Sequence, residues 1–293
     1  MKIAFVWPFD KAKWILPYWR DGLRAAIEEI EKKHTVDWFI GPDIPDIPDS
    51  YDAILTWTDS NDAHILAFSS YKAKKGIFLT TDLGLNYDNL KHYDVVFAEA
   101  QPVVSACKSV GLNCYKAFAT DTSFFKPERK PKLFDAFYPA TFSPWKRQHL
   151  FAQAVGDRGL ALGTVQPDGA EEYRACQEAG VRTIIGYLPY DFMRDLYNMS
   201  RVVMVTGYEG SGRTILEAMS CDVPVIVAGD NEKATSYVKE AGKGYIVAPR
   251  PEALSEAFEK ALALKGEKVN TRPFVEAFYS PQEYAKTILK GLK

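Results

Sequence analysis

Short apolar runs alternate with helix-compatible stretches along almost the whole chain. Runs of three to five apolar residues suit buried strands, and the stretches between them suit helices that connect one strand to the next. Such alternation predicts an α/β protein with parallel sheets. The runs lie at residues 3–7, 36–40, 53–57, 76–80, 95–98, 134–137, 159–162, 183–185, 202–205 and 223–227. Helices are expected near residues 18–33, 63–74, 146–155, 170–180, 190–199, 212–221, 231–241 and 280–292.

A chain of 293 residues is long for one domain and comfortable for two. The alternation is interrupted at residues 122–132, where two prolines and four basic residues occur together, and a domain boundary is predicted there. We therefore expect a Rossmann-like domain at residues 1–126 and a second at residues 127–268. A helical tail at residues 269–293 is expected to pack back toward the first domain.

The composition is that of an ordinary globular protein, with 47% apolar and 25% charged residues. A net charge of −2 gives no broad attraction to nucleic acid or anionic lipid. Cys107, Cys114, Cys176 and Cys221 lack CxxC spacing and are expected to be reduced, which favours a cytoplasmic location. The start of the chain is too short an apolar run for a signal peptide, and no run has the length of a membrane span. Peripheral contact with a membrane stays open.

A glycine-rich turn follows the apolar run at 202–205 and precedes a predicted helix. Gly210 and Gly212 allow a ligand to approach the backbone closely. The amides from Ser211 to Thr214 open the helix, and free amides at a helix start attract anions. Because open α/β sheets bind ligands at the carboxyl ends of their strands, a phosphate or diphosphate site is predicted here.

Two glutamates flank this turn. Glu209 precedes it, and Glu217 lies within the helix, so their carboxylates can bracket a ligand whose phosphates rest on the amides. An ionised carboxylate accepts hydrogen bonds from hydroxyl groups. A nucleotide sugar has this arrangement, because its diphosphate lies between two hydroxyl-rich groups. We therefore predict a nucleotide sugar as the ligand.

The pattern E-x7-E from Glu209 to Glu217, followed by Ala-Met-Ser-Cys-Asp-Val-Pro-Val-Ile, resembles family 4 retaining glycosyltransferases of GT-B fold. Further segments resemble this family at residues 120–127, 143–147, 186–190 and 242–249. The C-terminal half matches the family pattern better than the N-terminal half. The resemblance implies GT-B architecture, in which two Rossmann-like parallel-sheet domains face an interdomain cleft. It also implies transfer of a sugar from a nucleoside diphosphate sugar with retention of anomeric configuration.

The resemblance implies a role for three residues. Glu217 is expected at the ribose, Glu209 at the donor sugar and Lys146 at the diphosphate. From the residues alone we add Arg213, whose guanidinium at the helix start could contact phosphate. The donor-binding set comprises Arg147, Tyr190, Gly210, Ser211, Gly212, Arg213, Thr214 and Glu217.

The family is thought to react by front-face substitution, in which the leaving diphosphate helps to deprotonate the acceptor. Positive charge at the leaving group is then the main catalytic contribution, and neither a protein nucleophile nor a metal ion is implied. The chain also lacks metal-ligand spacing of Cys and His residues. No cofactor is expected beside the donor, which is predicted to be linked to UDP or GDP.

The chain departs from the family pattern at several points. Ala140 and Thr141 occupy the places where an arginine is common, and Arg147 or Arg213 is the expected substitute. Asp82 stands where the family has a histidine near the anomeric carbon, and it joins Glu209 and Lys146 as a catalytic candidate, with a role as a helix cap or turn residue as the alternative. A glycine pair in the first loop is replaced by aromatic and charged residues. Acceptor-binding candidates there are Asp10, Trp14, Tyr18 and Trp19, with burial in the core or contact with a membrane as the alternatives for the aromatic residues.

Two other functions compete with transfer. The departures favour, as an alternative, a catalytically inactive nucleotide-sugar-binding protein or partner subunit. A nicotinamide-dependent enzyme is disfavoured because the first apolar run leads into Trp-Pro-Phe-Asp-Lys rather than G-x-G-x-x-G. The acceptor is expected to be a glycan, a lipid-linked molecule or a small molecule. A nucleic acid is disfavoured as acceptor, since no basic stripe with interleaved aromatic residues is visible.

Overall fold

The computed structural model of the protein describes residues 1–7, 21–41, 43–58, 62–79, 85–264 and 270–293. The chain forms two compact units. Met1–Asp121 and Tyr279–Lys293 make up the first unit, and Thr122–Phe278 makes up the second. Each unit is built on its own six-stranded sheet.

The first unit contains a parallel sheet with the strand order β2-β1-β3-β4-β5-β6. Its strands are β1 (Lys2–Trp7), β2 (Thr35–Ile40), β3 (Ala53–Thr58), β4 (Lys74–Leu79), β5 (Val95–Ala98) and β6 (Cys114–Lys116). The helices between them are α1 (Gly22–Glu31), α2 (Asp62–Leu66), α3 (Tyr87–Leu90) and α4 (Gln101–Ser109). Because successive side chains of a strand point to opposite faces, Val95 and Phe97 join one apolar cluster while Val96 and Ala98 join another. The sheet is thus covered on both faces, as parallel sheets are.

Helix α1 begins where its sequence supplies a cap. The Asp21 carboxylate accepts a hydrogen bond of 2.8 Å from the amide of Leu23, which satisfies one of the free amides of the first turn. Leu23, Ala26, Ile27 and Ile30 then recur at helical spacing and are buried against the sheet.

The second unit contains a parallel sheet with the strand order β12-β11-β10-β7-β8-β9. Its strands are β7 (Phe134–Pro139), β8 (Gly159–Gly163), β9 (Arg182–Ile185), β10 (Ser200–Val205), β11 (Val225–Ala228) and β12 (Tyr245–Val247). Counted within the unit, this is the 3-2-1-4-5-6 order of dinucleotide-binding folds. The order reverses between β7 and β10, which are direct neighbours with Val202 opposite Ala136. Ligands of open α/β sheets bind beyond the carboxyl ends of the strands at this point of reversal.

Seven helices lie in the described part of the second unit. They are α5 (Gln148–Val155), α6 (Ala170–Glu178), α7 (Tyr190–Met199), α8 (Arg213–Ser220), α9 (Glu232–Ala241), α10 (Pro251–Leu262) and α11 (Arg272–Phe278). In α10, Leu254, Ala257, Phe258 and Ala261 are buried at helical spacing. Strand β10 lies in the middle of the core, since Val202, Val203, Met204 and Val205 are all 0% exposed.

The final helix, α12 (Pro281–Gly291), returns to the first unit and packs against α1. Its N-terminus is capped by Ser280, whose hydroxyl accepts a hydrogen bond of 3.5 Å from the amide of Glu283. Tyr284 and Ile288 complete the apolar cluster that contains Phe78 and Phe97. The core of the first unit therefore includes residues from both ends of the described chain.

The parallel α/β class predicted from the sequence is confirmed. The helix expected at residues 63–74 was predicted too long, because α2 ends at Leu66 and residue Lys74 already pairs with β3. The three-residue strands β6 and β12 were not predicted. Among the described residues, no helix is long and apolar enough to cross a membrane.

Candidate functional site

Two loops meet at the point where the strand order of the second sheet reverses. One loop follows β7 and contains Lys146, and the other follows β10 and contains Glu209. The Tyr208 amide donates a hydrogen bond of 2.8 Å to the Trp145 carbonyl, so the two loops are joined through their backbones. A site at this position is what the sheet topology predicts.

The hydroxyl group of Tyr138 bridges the two loops from below. Tyr138 lies in β7 and is 0% exposed. Its hydroxyl donates to the Lys146 carbonyl at 2.8 Å and accepts from the Gly207 amide at 3.2 Å. The Thr206 hydroxyl adds a bond of 2.9 Å to the Arg147 carbonyl. A single buried side chain thus fixes the backbone beside both Lys146 and Glu209.

Gly207 makes this close approach possible. A Cβ atom at this position would overlap the Lys146 Cα atom and the Trp145 carbonyl oxygen. The Asn231 side-chain amide donates to the Gly207 carbonyl at 2.5 Å and holds this glycine from the other side. Gly207 is therefore required by packing between the loops.

Lys146 and Glu209 form an ion pair across the two loops. The distance from Lys146 Nζ to Glu209 Oε2 is 2.9 Å, and the two side chains are 13% and 11% exposed. Lys146 Nζ also donates to the Tyr208 carbonyl at 2.7 Å. Glu209 Oε1 is buried and has no hydrogen-bond partner among the described residues. Burial raises the pKa of Glu209, and the charge of Lys146 opposes this shift.

Arg147 follows Lys146 in a left-handed backbone conformation, with φ of 52° and ψ of 47°. Non-glycine residues are uncommon there. Its guanidinium contacts Asp230 at 2.7 Å and lies 4.7 Å from the centre of the Tyr208 ring. These contacts place a second positive charge at the rim of the two loops.

Helix α8 starts directly after the turn. Gly212 occupies the N-cap position and has no side chain with which to cap the helix. A helix start of this kind suits an anion, which can accept hydrogen bonds from amides of the first turn. A Cβ atom at Gly212 would overlap the buried ring of Tyr237, which explains the glycine at this position. Arg213 in the first helical position donates to the Tyr190 hydroxyl at 3.1 Å.

Glu217 lies in α8 and is 6% exposed. The hydroxyl of Tyr197, a residue that is 0% exposed, donates to Glu217 Oε2 at 2.8 Å. Burial together with the neighbouring Glu217 carboxylate raises the pKa of Tyr197 well above its ordinary value, so the tyrosine stays protonated and remains a donor. The carboxylate of Glu217 is thereby oriented by a residue of α7.

The structure brings some of the predicted site residues into direct contact and leaves others outside its described ranges. Lys146 pairs with Glu209, and Arg213 contacts Tyr190. Gly210 is exposed, whereas Ser211 and Thr214 are half-buried beside the buried Gly212. The following predicted residues lie outside the described part of the chain: Asp10, Trp14, Tyr18, Trp19 and Asp82.

Sequence reasoning missed the residues that hold the two loops together. Tyr138, Thr206 and Asn231 all bond to the backbone of these loops. For Tyr138 a signal existed, because a tyrosine at the end of a buried strand needs a partner for its hydroxyl. Across the described ranges, no three His, Cys, Asp or Glu side chains are grouped so that they could hold a metal ion.

The hydrogen bonds that Tyr138 makes to both loops should contribute to the free energy of unfolding. We expect Tyr138→Phe to lower the free energy of unfolding by about 1–3 kcal/mol, because it leaves the Gly207 amide without its buried partner and removes one of the two hydroxyl groups that donate to the Lys146 carbonyl. Urea denaturation measures this change. Tyr245→Phe is the control, since the Tyr245 hydroxyl makes no hydrogen bond within the described residues. Equal losses in the two variants would contradict the bridging role.

Solved structures with a similar fold cover almost the entire chain. Sucrose-phosphate synthase from Thermosynechococcus elongatus is 15% identical with a TM-score of 0.73, over 99% of this chain and 98% of that chain. HepE of Anabaena, solved in complex with UDP, is 15% identical with a TM-score of 0.75, over 100% and 99% of the two chains. A glycosyltransferase from Rickettsia africae is 14% identical with a TM-score of 0.75, over 100% and 97%. At these identities the likeness shows the fold, which is GT-B.

A search of curated protein sequences gives no match. The family model of glycosyl transferases group 1 matches residues 119–273, which is more than half of the chain. The matched region contains both loops, helix α8 and the two glutamates. The chain therefore belongs to the glycosyl transferases group 1 family.

Proposed function

We propose that the protein transfers a sugar from a nucleoside diphosphate sugar to an acceptor hydroxyl with retention of anomeric configuration. The observation that carries this proposal is the Lys146–Glu209 pair, which lies where the second sheet reverses its strand order and just before helix α8, whose N-cap residue is Gly212. Complexes of the similar HepE protein with UDP and with UDP-glucose support UDP as the nucleotide.

The diphosphate is held by positive charge and free amides. An ammonium group has three donors, and two of those of Lys146 are used by Glu209 and the Tyr208 carbonyl. The third is available to a phosphate oxygen. The amides at the start of α8 add donors directed along the helix axis, and Arg213 lies in its first turn. Arg147 supplies further positive charge from the loop after β7.

The two glutamates hold the sugars on either side of the diphosphate. Glu217, oriented by the Tyr197 hydroxyl, accepts hydrogen bonds from the ribose. Glu209 accepts a hydrogen bond from a hydroxyl of the transferred sugar. The acceptor atom is Oε1, the oxygen that lacks a hydrogen-bond partner in the described structure. Binding would satisfy this buried acceptor, whose desolvation otherwise costs free energy. Tyr190 is the candidate for contact with the base.

The reaction breaks the bond between the anomeric carbon and the phosphate oxygen. The acceptor oxygen bonds to that carbon on the same face, and the acceptor proton passes to the departing phosphate oxygen. The products are the glycosylated acceptor and a nucleoside diphosphate. Lys146, Arg213 and the start of α8 stabilise the negative charge that develops on the leaving group, so neither a nucleophilic side chain nor a metal ion is needed.

Acceptor binding is assigned to the first unit by prediction alone. The candidates Asp10, Trp14, Tyr18 and Trp19, and the catalytic candidate Asp82, lie outside the described residues. A glycan, a lipid-linked molecule or a small molecule is the proposed acceptor class.

Two measurements test the proposed function, namely binding of nucleotide sugars to the protein and transfer of their sugar to an acceptor. Wild-type protein is titrated with UDP-linked and GDP-linked sugars by calorimetry and then incubated with a broad acceptor library. Proton NMR of the product reports the anomeric configuration. We expect binding of one donor and a product with the configuration of that donor. Binding without turnover across the library would favour the inactive nucleotide-sugar-binding protein, and absence of binding throughout the panel would contradict both functions.

A further inference from the structure

We propose that Glu209 makes the site discriminate against the nucleoside diphosphate product and thereby promotes its release. The proposal rests on the proposed function, since it assumes that the diphosphate lies at Lys146. It adds that the same carboxylate that binds the donor sugar opposes binding of the diphosphate once that sugar has been transferred.

The first reason is that Lys146 is already paired. Its ammonium group lies 2.9 Å from Glu209 Oε2, and both side chains are nearly buried. Solvent and salt therefore screen their charges weakly. A diphosphate that approaches Lys146 meets a pair of zero net charge rather than a free cation, and it meets the carboxylate of Glu209 as a like charge.

The second reason is the state of the other carboxylate oxygen. Glu209 Oε1 is buried and has no hydrogen-bond partner among the described residues. A hydroxyl of the intact donor sugar can donate to it, which offsets the repulsion from the phosphates. The product diphosphate has no such hydroxyl beyond its phosphates, so Oε1 stays unsatisfied beside an added negative charge.

The third reason is that the backbone next to Glu209 is held in place. The Tyr208 amide donates to the Trp145 carbonyl at 2.8 Å, and the Tyr208 carbonyl accepts from Lys146 Nζ at 2.7 Å. Gly207 packs directly against Lys146. Because both backbone groups of the preceding residue are bonded to the opposite loop, the carboxylate has little freedom to move away from a bound diphosphate.

Binding constants for product and donor test the proposal. Dissociation constants of UDP, UDP-glucose, GDP and GDP-mannose are measured by calorimetry for wild type, Glu209→Gln and Glu209→Asp. We expect Glu209→Gln to strengthen binding of the free diphosphate by about tenfold over wild type, because the repulsion is removed, and to strengthen donor binding less, because the loss of sugar contacts offsets the gain. Glu209→Asp retains the charge but shortens the side chain, so its diphosphate affinity should stay at the wild-type value while its donor affinity falls.

Glu178→Gln is the matched control, because Glu178 is an exposed residue of the same unit and its replacement removes one negative charge without removing a contact. Thermal unfolding verifies that each variant is folded. If Glu209→Gln leaves the affinity for the free diphosphate unchanged or lowers it, or raises both affinities equally, while the wild type binds the donor, the proposal is overturned and the proposed function stands. If neither wild type nor Glu209→Gln binds any of the four probes, the proposed function fails and the inference fails with it.

Discussion

Lys146→Ala should lower the rate of sugar transfer by about 10²–10³-fold at saturating donor, because it removes the ammonium group that we propose stabilises the leaving diphosphate. The effect is expected mainly in kcat, since charge on the leaving group is greatest in the transition state. Initial rates of nucleoside diphosphate release measure it. Lys239→Ala removes an exposed lysine of the same unit and serves as the control. Equal rates for the two variants would contradict the role of Lys146.

The same substitution should also affect stability. Without Lys146, the nearly buried carboxylate of Glu209 loses its ion-pair partner, which is expected to cost up to about 3 kcal/mol of unfolding free energy. The double variant Lys146→Ala/Glu209→Ala removes both charges. It should recover part of the lost unfolding free energy, while its rate of sugar transfer stays as low as that of Lys146→Ala. Recovery of activity in the double variant would show that the rate loss came from the stranded carboxylate.

Glu217→Ala should weaken donor binding by about 10- to 100-fold, which corresponds to the loss of one or two hydrogen bonds to a charged group. The fully buried Tyr197 hydroxyl also loses its acceptor, so we expect a stability loss of about 1–3 kcal/mol. Calorimetric titration with the donor measures the first effect, and urea denaturation measures the second.

A second substitution separates the two effects of Glu217→Ala. In the double variant Glu217→Ala/Tyr197→Phe, both hydrogen-bonding partners are absent, and stability should return toward the wild-type value. Donor affinity should stay low because the carboxylate is still missing. Restored donor affinity in the double variant would mean that Glu217 acts on folding rather than on the ribose.

Much of the fold could be predicted because buried strands of parallel sheets are continuous apolar runs. The runs at 95–98 and 202–205 coincide with β5 and the end of β10. Strand β6 was missed because its three residues end in a lysine and give no continuous apolar run, and β12 was missed although residues 245–247 are apolar. Helix α10 is different, since its apolar residues repeat at helical spacing and could have been recognised.

The candidate site was only partly predictable. The turn and its two glutamates lie in one continuous stretch of sequence. An anion site could therefore be inferred from the glycines and the helix start, and binding of hydroxyl groups from the carboxylates. The Lys146–Glu209 pair could not be derived from spacing, because it depends on which strands are neighbours in the sheet. Tyr138 was missed because its hydroxyl bonds to backbone groups of two loops that are distant in sequence.

The return of α12 to the first unit has a consequence for the order of folding during synthesis. The second unit is continuous from Thr122 to Phe278, so the ribosome releases all of it before α12 emerges. Until then the first unit lacks Tyr284 and Ile288, and part of the apolar surface at Phe78 and Phe97 stays uncovered. Although domains usually fold in the order in which they are translated, here the later unit can reach its native state before the earlier one.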